Sequence, residues 1–497
     1  MLRIGIDVGG THTDAALLDG ETLLASTKAA TSANVVTGIT DAFDTVLADG
    51  GITADAVECV MIGTTQFTNA VVERRELAPV AAIRIGLPSG KGLPPFTDWP
   101  DDIAQAIGGM SFMVQGGYLY DGELLAPLDE TAITKAIDQI ARSSVRNVAI
   151  ASAFSPLNAG PEEFVAAKVK AAIPDANISC SHTIGGLGLL ERENAAILNA
   201  SLLPFAARVV ASFEAALVQR GLTCPLYISQ NDGTLMDAGF VRRFPALTFA
   251  SGPTNSLRGA WKLTGLEDAI VVDIGGTTSD IGVLQSGFPR ESYNIVNIGG
   301  VRTNFRMPDI LAIGAGGGSL VSDDGSQIGP RSVGHRLTQE GLIFGGKQLT
   351  LSDIAVAAGA LDLGDPALVR DLPGALVIKA RETMHTMLNQ AIDSMRPGGR
   401  KLPVILVGGG AALVSDRLDA ATEVIIPSNS GTANAIGASI AQIGGEAEQM
   451  LSYQHTPREK ALANVTAQAE RAAIAAGGDP TSLKVVDIAE TPVPYME

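Results

Sequence analysis

Residues 270–284 read IVVDIGGTTSDIGVL. An apolar run ends at Asp273. Two glycines, two threonines, Ser279 and a second acid, Asp280, follow before the chain turns apolar again. Short apolar runs bounded by turn residues predict buried strands, so the stretch reads as strand, glycine turn, strand. Glycine lets such a turn take positive φ and approach a ligand closely. Successive backbone N–H groups in the turn form a nest for an anion. Thr277, Thr278 and Ser279 add hydroxyl groups, and Asp273 ends its strand where a carboxylate can hold Mg²⁺ or its waters beside phosphates.

The pattern occurs twice. Residues 4–18 read IGIDVGGTHTDAALL and match 270–284 at Ile4, Asp7, Gly9, Gly10, Thr11, Asp14 and Leu18. This spacing is not a solenoid period. It predicts two related halves whose hairpins clamp a polyphosphate and its metal in a cleft. The plainer alternative is a pair of ordinary glycine hairpins, which are common.

The remaining composition narrows the function classes. At 497 residues the chain holds about two to four domains. Aromatics are only 4%, so the cores must be built from Ala, Val, Leu and Ile. A net charge of −18 argues against nucleic acid and anionic membranes as main partners, since both need basic surface; plain solubility also accounts for it. Met1 leads straight into a strand without a leader pattern, and no uncharged apolar run is long enough to span a bilayer. Cys59, Cys180 and Cys224 fit no metal or redox spacing and are expected to be reduced thiols of a cytoplasmic protein.

Along the chain, strands and helices alternate, which predicts an α/β architecture. Three strands fill 2–30, a helix 34–48 and a strand 57–63. Thr64 and Thr65 are placed to cap a helix starting near Phe67, and a helix N-terminus in a cleft is an anion site. A long helix over 189–220 is expected to be interrupted at Pro204. Ser251-Gly252-Pro253 reads as a helix start. Residues 314–319, GAGGGS, read as a flexible loop. A buried strand at 402–407 runs into Gly408, Gly409 and Gly410 and a helix-forming Ala411-Ala412-Leu413.

Two phosphate loops followed by a glycine turn for adenosine is similar to the order in the actin, sugar-kinase and heat-shock ATPase superfamily. Within it, the chain resembles the ATP-dependent hydantoinase/oxoprolinase family on its hydantoinase A side. The residues that carry the likeness are GIDVGGTHTDAALLD, IGTTQFTNAVVERR (62–75), SQNDGTLM (229–236), Ser251-Gly252-Pro253, DIGGTTSDIG, GAGGGS and VGGGAALV, over roughly residues 2–445. The resemblance implies a two-lobed actin-like (ribonuclease H-like) α/β fold with an interlobe nucleotide cleft. It divides the chain into an N-terminal region at 1–182, a hydantoinase A region at 183–445 and a helical tail at 446–497. Relatives carry an aromatic where this chain has His12, so contact with a phosphate and simple space-filling both stand open. They also continue for a further domain, so a substrate-side surface or subunit contact is expected to lie outside this chain.

The chemistry implied is ATP-dependent opening of a cyclic amide or imide, such as a hydantoin or 5-oxoproline. Phosphorylating the amide oxygen makes it a leaving group and the carbon electrophilic. Such transfer needs mainly positioning and charge neutralisation. Gly9, Gly10, Thr11 and Thr13 would hold one side of ATP, and Gly275, Gly276, Thr277 and Thr278 the other. Gly408 to Gly410 would pack the adenosine. Asp7 and Asp273 would organise Mg²⁺ through water and orient the attacking oxygen, while Asp14 and Asp280 bond within their own hairpins. His182, Glu191 and Glu193 form a weak metal-ligand candidate against a salt-bridged surface. Glu73, Arg74 and Arg75, and His335 with Arg336, are open between ligand contact and solvated charge. Partners implied are a small cyclic amide and a second subunit of the hydantoinase B type; a homo-oligomer is compatible. A small-molecule kinase or a non-catalytic ATP-driven switch on the same fold are the competing readings.

Overall fold

The computed structural model describes the chain except residues 10–11, 31–34, 293–294, 415–416, 450, 452, 454–455 and 492–497. Two of its sheets follow one plan. In the first, Leu2–Val8, His12–Asp19 and Thr22–Ala30 form an antiparallel meander. Cys59–Thr64 adds in parallel beside Leu2–Val8, and Leu226–Ser229 beside Cys59–Thr64. In the second, Ala269–Ile274, Ser279–Gln285 and Phe288–Pro289 form the meander. Val404–Val407 and Val424–Ile425 then add in parallel in the same positions. In both sheets the spatial order is third, second, first, fourth, fifth strand. This is the expected two-lobed, ribonuclease H-like α/β fold.

A third sheet is inserted between the fourth and fifth strands of the first. It orders Met110–Gln115, Val80–Leu87, Asn147–Ser152 and Asn177–Cys180, all parallel. Parallel neighbours need crossovers, and Glu130–Arg142 and Gly160–Ala172 supply helices for them. The first sheet therefore draws strands from both sides of residue 182.

Each sheet has its own aliphatic core. Ile4, Ile6, Ile62 and Ile197 lie in the first; Ile270, Val272, Leu388 and Leu406 in the second; Ile83, Ile137 and Ile150 in the third. The helix Leu189–Gln219 spans 31 residues and runs unbroken through Pro204, contrary to the expected interruption. Proline removes one intrahelical hydrogen bond, but Ala200, Leu202, Leu203 and Ala206 around it are buried, and the Ser201 carbonyl takes the Ala78 amide at 2.9 Å. Tertiary packing overrides the local defect. The helix is long and apolar enough to cross a membrane, yet its most apolar window is 67% buried; it is a core helix. Among the described residues the tail is helical over Arg458–Ala475 and docks on the edge of the first sheet, where Asp237 N donates to Ala476 O at 2.8 Å.

Two helices, Ser251–Thr264 and Ala433–Ile440, cross between the main sheets. A Cβ on Gly259 would collide with Ala433 O, and one on Gly437 with Asn255 O, so only glycine permits this approach. The second helix also lies on the first strand, where a Cβ on Gly5 would strike Ala435 O. These contacts bring both hairpins to one interlobe floor.

Candidate active site

The hairpins match position for position. Asp7 pairs across its sheet with Asp14 and Val8 with Thr13, while Gly9 N donates to His12 O at 3.0 Å. Asp273 pairs with Asp280 and Ile274 with Ser279, while Gly275 N donates to Thr278 O at 2.9 Å. Gly10 and Thr11 lie outside the described residues. Thr13 differs from the turn residues in its setting. It is fully buried at the start of its strand, as is its counterpart Ser279, whose hydroxyl goes to Ala315 O at 2.5 Å.

Gly275 to Thr278 are all exposed. Beneath them, Gly317 N donates to Gly275 O at 3.0 Å and Gly318 N to Gly276 O at 2.7 Å. A Cβ on Gly316 would strike Gly275 O at 2.7 Å. The GAGGGS segment, expected to be flexible, is therefore bonded backbone to backbone under the turn. With those carbonyls tied down, the amides of Gly276, Thr277 and Thr278 make no hydrogen bond among the described residues, which leaves three donors on an exposed turn, the makings of an anion nest. Gly408, with φ +83, donates to Ser430 O at 2.9 Å, and Gly410 N donates to Ile274 O at 2.8 Å. The glycine turn thus abuts the second hairpin. Residues 411–413 continue it as a single 3₁₀ turn rather than an α-helix.

The two strand-end aspartates differ. Asp7 is 5% exposed; its Oδ2 accepts from Asn434 Nδ2 at 2.9 Å, and its Oδ1 has no partner among the described residues. Burial, then the charges of Asp14 and Asp273, push it up to about 7. Asp273 is half-buried; Ser256 Oγ donates to its Oδ2 at 2.5 Å. Burial raises its pKa too, with Ser256 and Lys28 opposing. The expectation for their neighbours fails in part. Asp14 bonds not within its hairpin but to Lys28 on the third strand, Nζ lying 2.7 and 2.8 Å from its two oxygens. The Asp280 side chain makes no hydrogen bond among the described residues; burial and Asp273 push it up to about 7. All are hard oxygen donors of the kind Mg²⁺ takes, and Asp7 Oδ1 is a buried carboxylate oxygen with a lone pair to offer, so the residues fit that ion.

Lys28 is a residue of this floor that motif reading missed. It sits directly across the sheet from Asp14, and its Nζ also reaches Gly431 O of the other lobe at 3.1 Å. Its charge acts on Asp7, Asp273 and His12. Burial, then Lys28, lower the pKa of His12. The available signal was a lysine inside a strand of alternating pattern beside a buried acid. Ser256 and Asn434 carried no such signal, because helix crossing alone brings them to the aspartates.

The stretches 62–75 and 229–236, with Ser251, brace the floor. Ser251 Oγ donates to Thr64 O at 3.1 Å, and Thr68 Oγ1 to Phe249 O at 2.8 Å. The helix there begins at Gln66, with Thr64 Oγ1 accepting from Gln66 N at 3.3 Å; Thr65 makes no side-chain cap. In the NDGT turn, buried Asn231 accepts from Ala250 N at 2.8 Å, and its carbonyl takes Thr254 Oγ1 at 2.8 Å. These bonds fix the start of the helix that carries Ser256.

His182, Glu191 and Glu193 are not brought together. Glu193 forms a buried bidentate pair with Arg84, Glu191 pairs with Arg302 at 2.9 Å, and His182 Nδ1 lies 2.6 Å from Glu162. Glu162, Cys180 and His182 do cluster, but Glu162 already accepts from Ser152 N, Ser181 Oγ, His182 N and His182 Nδ1. The Glu162 oxygens are thus already engaged by protein donors. Burial pushes the Cys180 thiol up to about 12. Arg74 clamps Asp102 and Gly299 O, Glu73 pairs with Arg75 at the surface, and Arg336 pairs with Glu340 at 2.8 Å. His335 is exposed beside Gly334, which lies near Thr277. Cys59, Cys180 and Cys224 are free thiols.

Asp280 yields a pH prediction. Its folded pKa is raised, so the stability it confers when protonated is complete below the ordinary carboxylate range and is lost as pH rises from 3.8 to about 7. At about 1.4 kcal/mol per unit, the ionised group weakens the fold by up to roughly 4 kcal/mol. Asp280→Asn should therefore raise Tm by several degrees above pH 7 in chelator-treated, nucleotide-free protein, the gain shrinking towards pH 4. An equal change at both pH values would refute the buried-charge account.

Comparison with known proteins accords with this geometry. Residues 3–173 match the model of the hydantoinase/oxoprolinase N-terminal region, and residues 192–365 that of hydantoinase/oxoprolinase. Caprolactamase subunit alpha of Pseudomonas jessenii is 28% identical over 399 residues, 72% of this chain and 54% of that protein. The acetophenone carboxylase gamma subunit of Aromatoleum aromaticum is 26% identical over 257 residues, 48% of this chain and 34% of that one. The chain thus spans about half or less of these two relatives. The crystal structure of the ATP-dependent caprolactamase from P. jessenii superposes with TM-score 0.76 at 22% identity, covering 96% of this chain and 77% of that one. Nucleotide-free acetone carboxylase does so with TM-score 0.67 at 19% identity, covering 95% and 76%. At those identities the superpositions speak to fold.

Proposed function

The chain belongs to the hydantoinase/oxoprolinase family, and on that premise we propose that it is the ATP-binding component of an enzyme that opens a cyclic amide or imide. The observation that carries the reading is the duplicated hairpin, with Asp7 and Asp273 at equivalent strand ends around one floor. The free amides of Gly276, Thr277 and Thr278 would receive phosphate oxygens, and Gly408 to Gly410 the adenosine. Lys28 would offset phosphate charge from the opposite lobe. Asp7 and Asp273 would hold Mg²⁺ through water; when bound, that ion neutralises charge on the transferring phosphoryl group.

In the reaction proposed, the amide oxygen of the substrate attacks the γ-phosphorus and ADP leaves. A first water then adds to the activated carbon, the ring C–N bond breaks as the nitrogen takes a proton and an acyl phosphate is left, and a second water hydrolyses that acyl phosphate to carboxylate and inorganic phosphate. Asp7, whose Oδ1 has no partner among the described residues, is the group proposed to take the first water's proton. Among the described residues no Ser-His or Cys-His pair stands in the cleft, so we propose a second subunit for the hydrolytic half. That caprolactamase and acetophenone carboxylase relatives are named as subunits supports this. The carboxylase relative favours one further reading, phosphorylation of a ketone's enolate oxygen before carboxylation.

The test is to supply purified chain and Mg-ATP with a panel of hydantoins, lactams and 5-oxoproline, and separately with a ketone and bicarbonate, with and without a co-purified partner. The expected result is ring opening matched to ADP release only when the partner is present. Ordinary enzymatic ring opening by the chain alone would refute the partner requirement. A stable phosphorylated product would move the assignment to a kinase.

A further inference from the structure

The helix Ser251–Thr264 sets consecutive side chains against the two aspartates. Ser256 Oγ donates to Asp273 Oδ2. Its neighbour Asn255 is 0% exposed, and both atoms of its side-chain amide lack a hydrogen-bond partner among the described residues, as does Asp7 Oδ1. These groups meet over one residue: a Cβ on Gly63 would collide with both Asn255 Nδ2 and Asp7 Oδ1. Only a glycine at that point leaves the two side chains facing each other. Buried amides without partners are rare because they forfeit their hydrogen bonds to water. One aimed at an equally unpartnered carboxylate oxygen has an evident use.

We propose, on the ATP reading above, that Asn255 is a positioning residue for Asp7, its amide donating to Asp7 Oδ1 after a small side-chain rotation over Gly63. Asp7 is then held on Oδ2 by Asn434 and on Oδ1 by Asn255, one from each of the two crossing helices. A carboxylate gripped on one oxygen can still turn about its Cβ–Cγ bond; one gripped on both cannot. Because Asn255 and Ser256 are adjacent on a single rigid helix, that helix fixes the spacing of Asp7 and Asp273. Gly259 on this helix, packed on Ala433 O, and Gly437 on the helix that bears Asn434, packed on Asn255 O, lock the two helices together in turn. Positioning of this kind acts on the chemical step more than on nucleotide binding.

The experiment compares Asn255→Leu, which keeps the volume without the amide, and Asn255→Ala, each screened for folding by thermal melt so that either suffices. Turnover, KM and ATP affinity are measured. In nucleotide-free protein well above neutral pH, the isotope-edited infrared band of the Asp7 carboxylate is followed, identified by its loss in Asp7→Asn. The expected result is a fall in kcat of about 10²-fold, with KM and ATP affinity within about threefold, and a shifted Asp7 band. An unmoved band, or kcat within threefold of the parent protein, overturns the proposal. The band is read without ATP. A shifted band in a protein with no ATPase activity would therefore overturn the ATP reading while supporting the Asn255–Asp7 contact.

Discussion

Asp273→Asn is expected to lower ATP turnover by about 10³-fold, the scale on which one preorganised polar group matters in a phosphoryl-transfer site. The substitution changes charge and little else. Asparagine has the same shape and still offers Ser256 Oγ an oxygen to replace the 2.5 Å contact. What is lost is the carboxylate nearest the exposed turn, against which Gly408 is packed so closely that a Cβ there would strike Asp273 Oδ1. Calorimetry should show that Mg²⁺ no longer strengthens nucleotide binding. Stability provides the control. Burial raises the pKa of Asp273, so its ionised form costs the fold free energy above that pKa, and neutralising it cannot unfold the protein there. Tm at pH 8 should hold or rise. Turnover within tenfold of the parent protein, with the Mg²⁺ dependence intact, would remove Asp273 from the site.

How much of this was legible in the sequence follows from the range of each interaction. The hairpins were readable because a strand, a glycine turn and a strand are local, and their repetition gave the two lobes. Matching registers, Asp7 with Asp14 and Asp273 with Asp280, follow from the same tight turns. Thr13 lies one residue inside a strand that begins at His12 and is fully buried there, a placement that its hydroxyl residue type does not reveal. GAGGGS was misread because glycine signals freedom, whereas here the lack of side chains lets two backbones meet. Pro204 was misread because a local defect yields to long-range packing. Asn434, 427 residues from Asp7, and Ser256 become site residues only when two helices cross, which no local pattern encodes. The NDGT turn drew attention as a signature, yet its work is to anchor that crossing.

Lys28→Met is expected to lower turnover over KM by about 10²-fold, and it has to be separated from a structural loss. Lys28 lies among Asp7, Asp14 and Asp273, with Gly409 beside its Cε and Gly431 O on its Nζ. A triphosphate entering a floor of four carboxylates meets repulsion that a cation on the opposite lobe offsets, most strongly where water is excluded. Removing Lys28 also strands Asp14, whose side chain is 3% exposed. Breaking a fully buried pair costs about 3–5 kcal/mol; with the Lys28 side chain 33% exposed, screening should reduce this to roughly 1–2 kcal/mol. The double variant Asp14→Asn/Lys28→Met resolves the two effects, because it removes the stranded charge while still lacking the cation. Its Tm should return close to that of the parent, while nucleotide affinity and turnover stay low. If the double variant regains activity along with stability, Lys28 serves only to satisfy Asp14. If activity stays low in a protein that melts normally, the lysine acts on the nucleotide, and its reach to Gly431 makes it the charge that joins the lobes across the cleft.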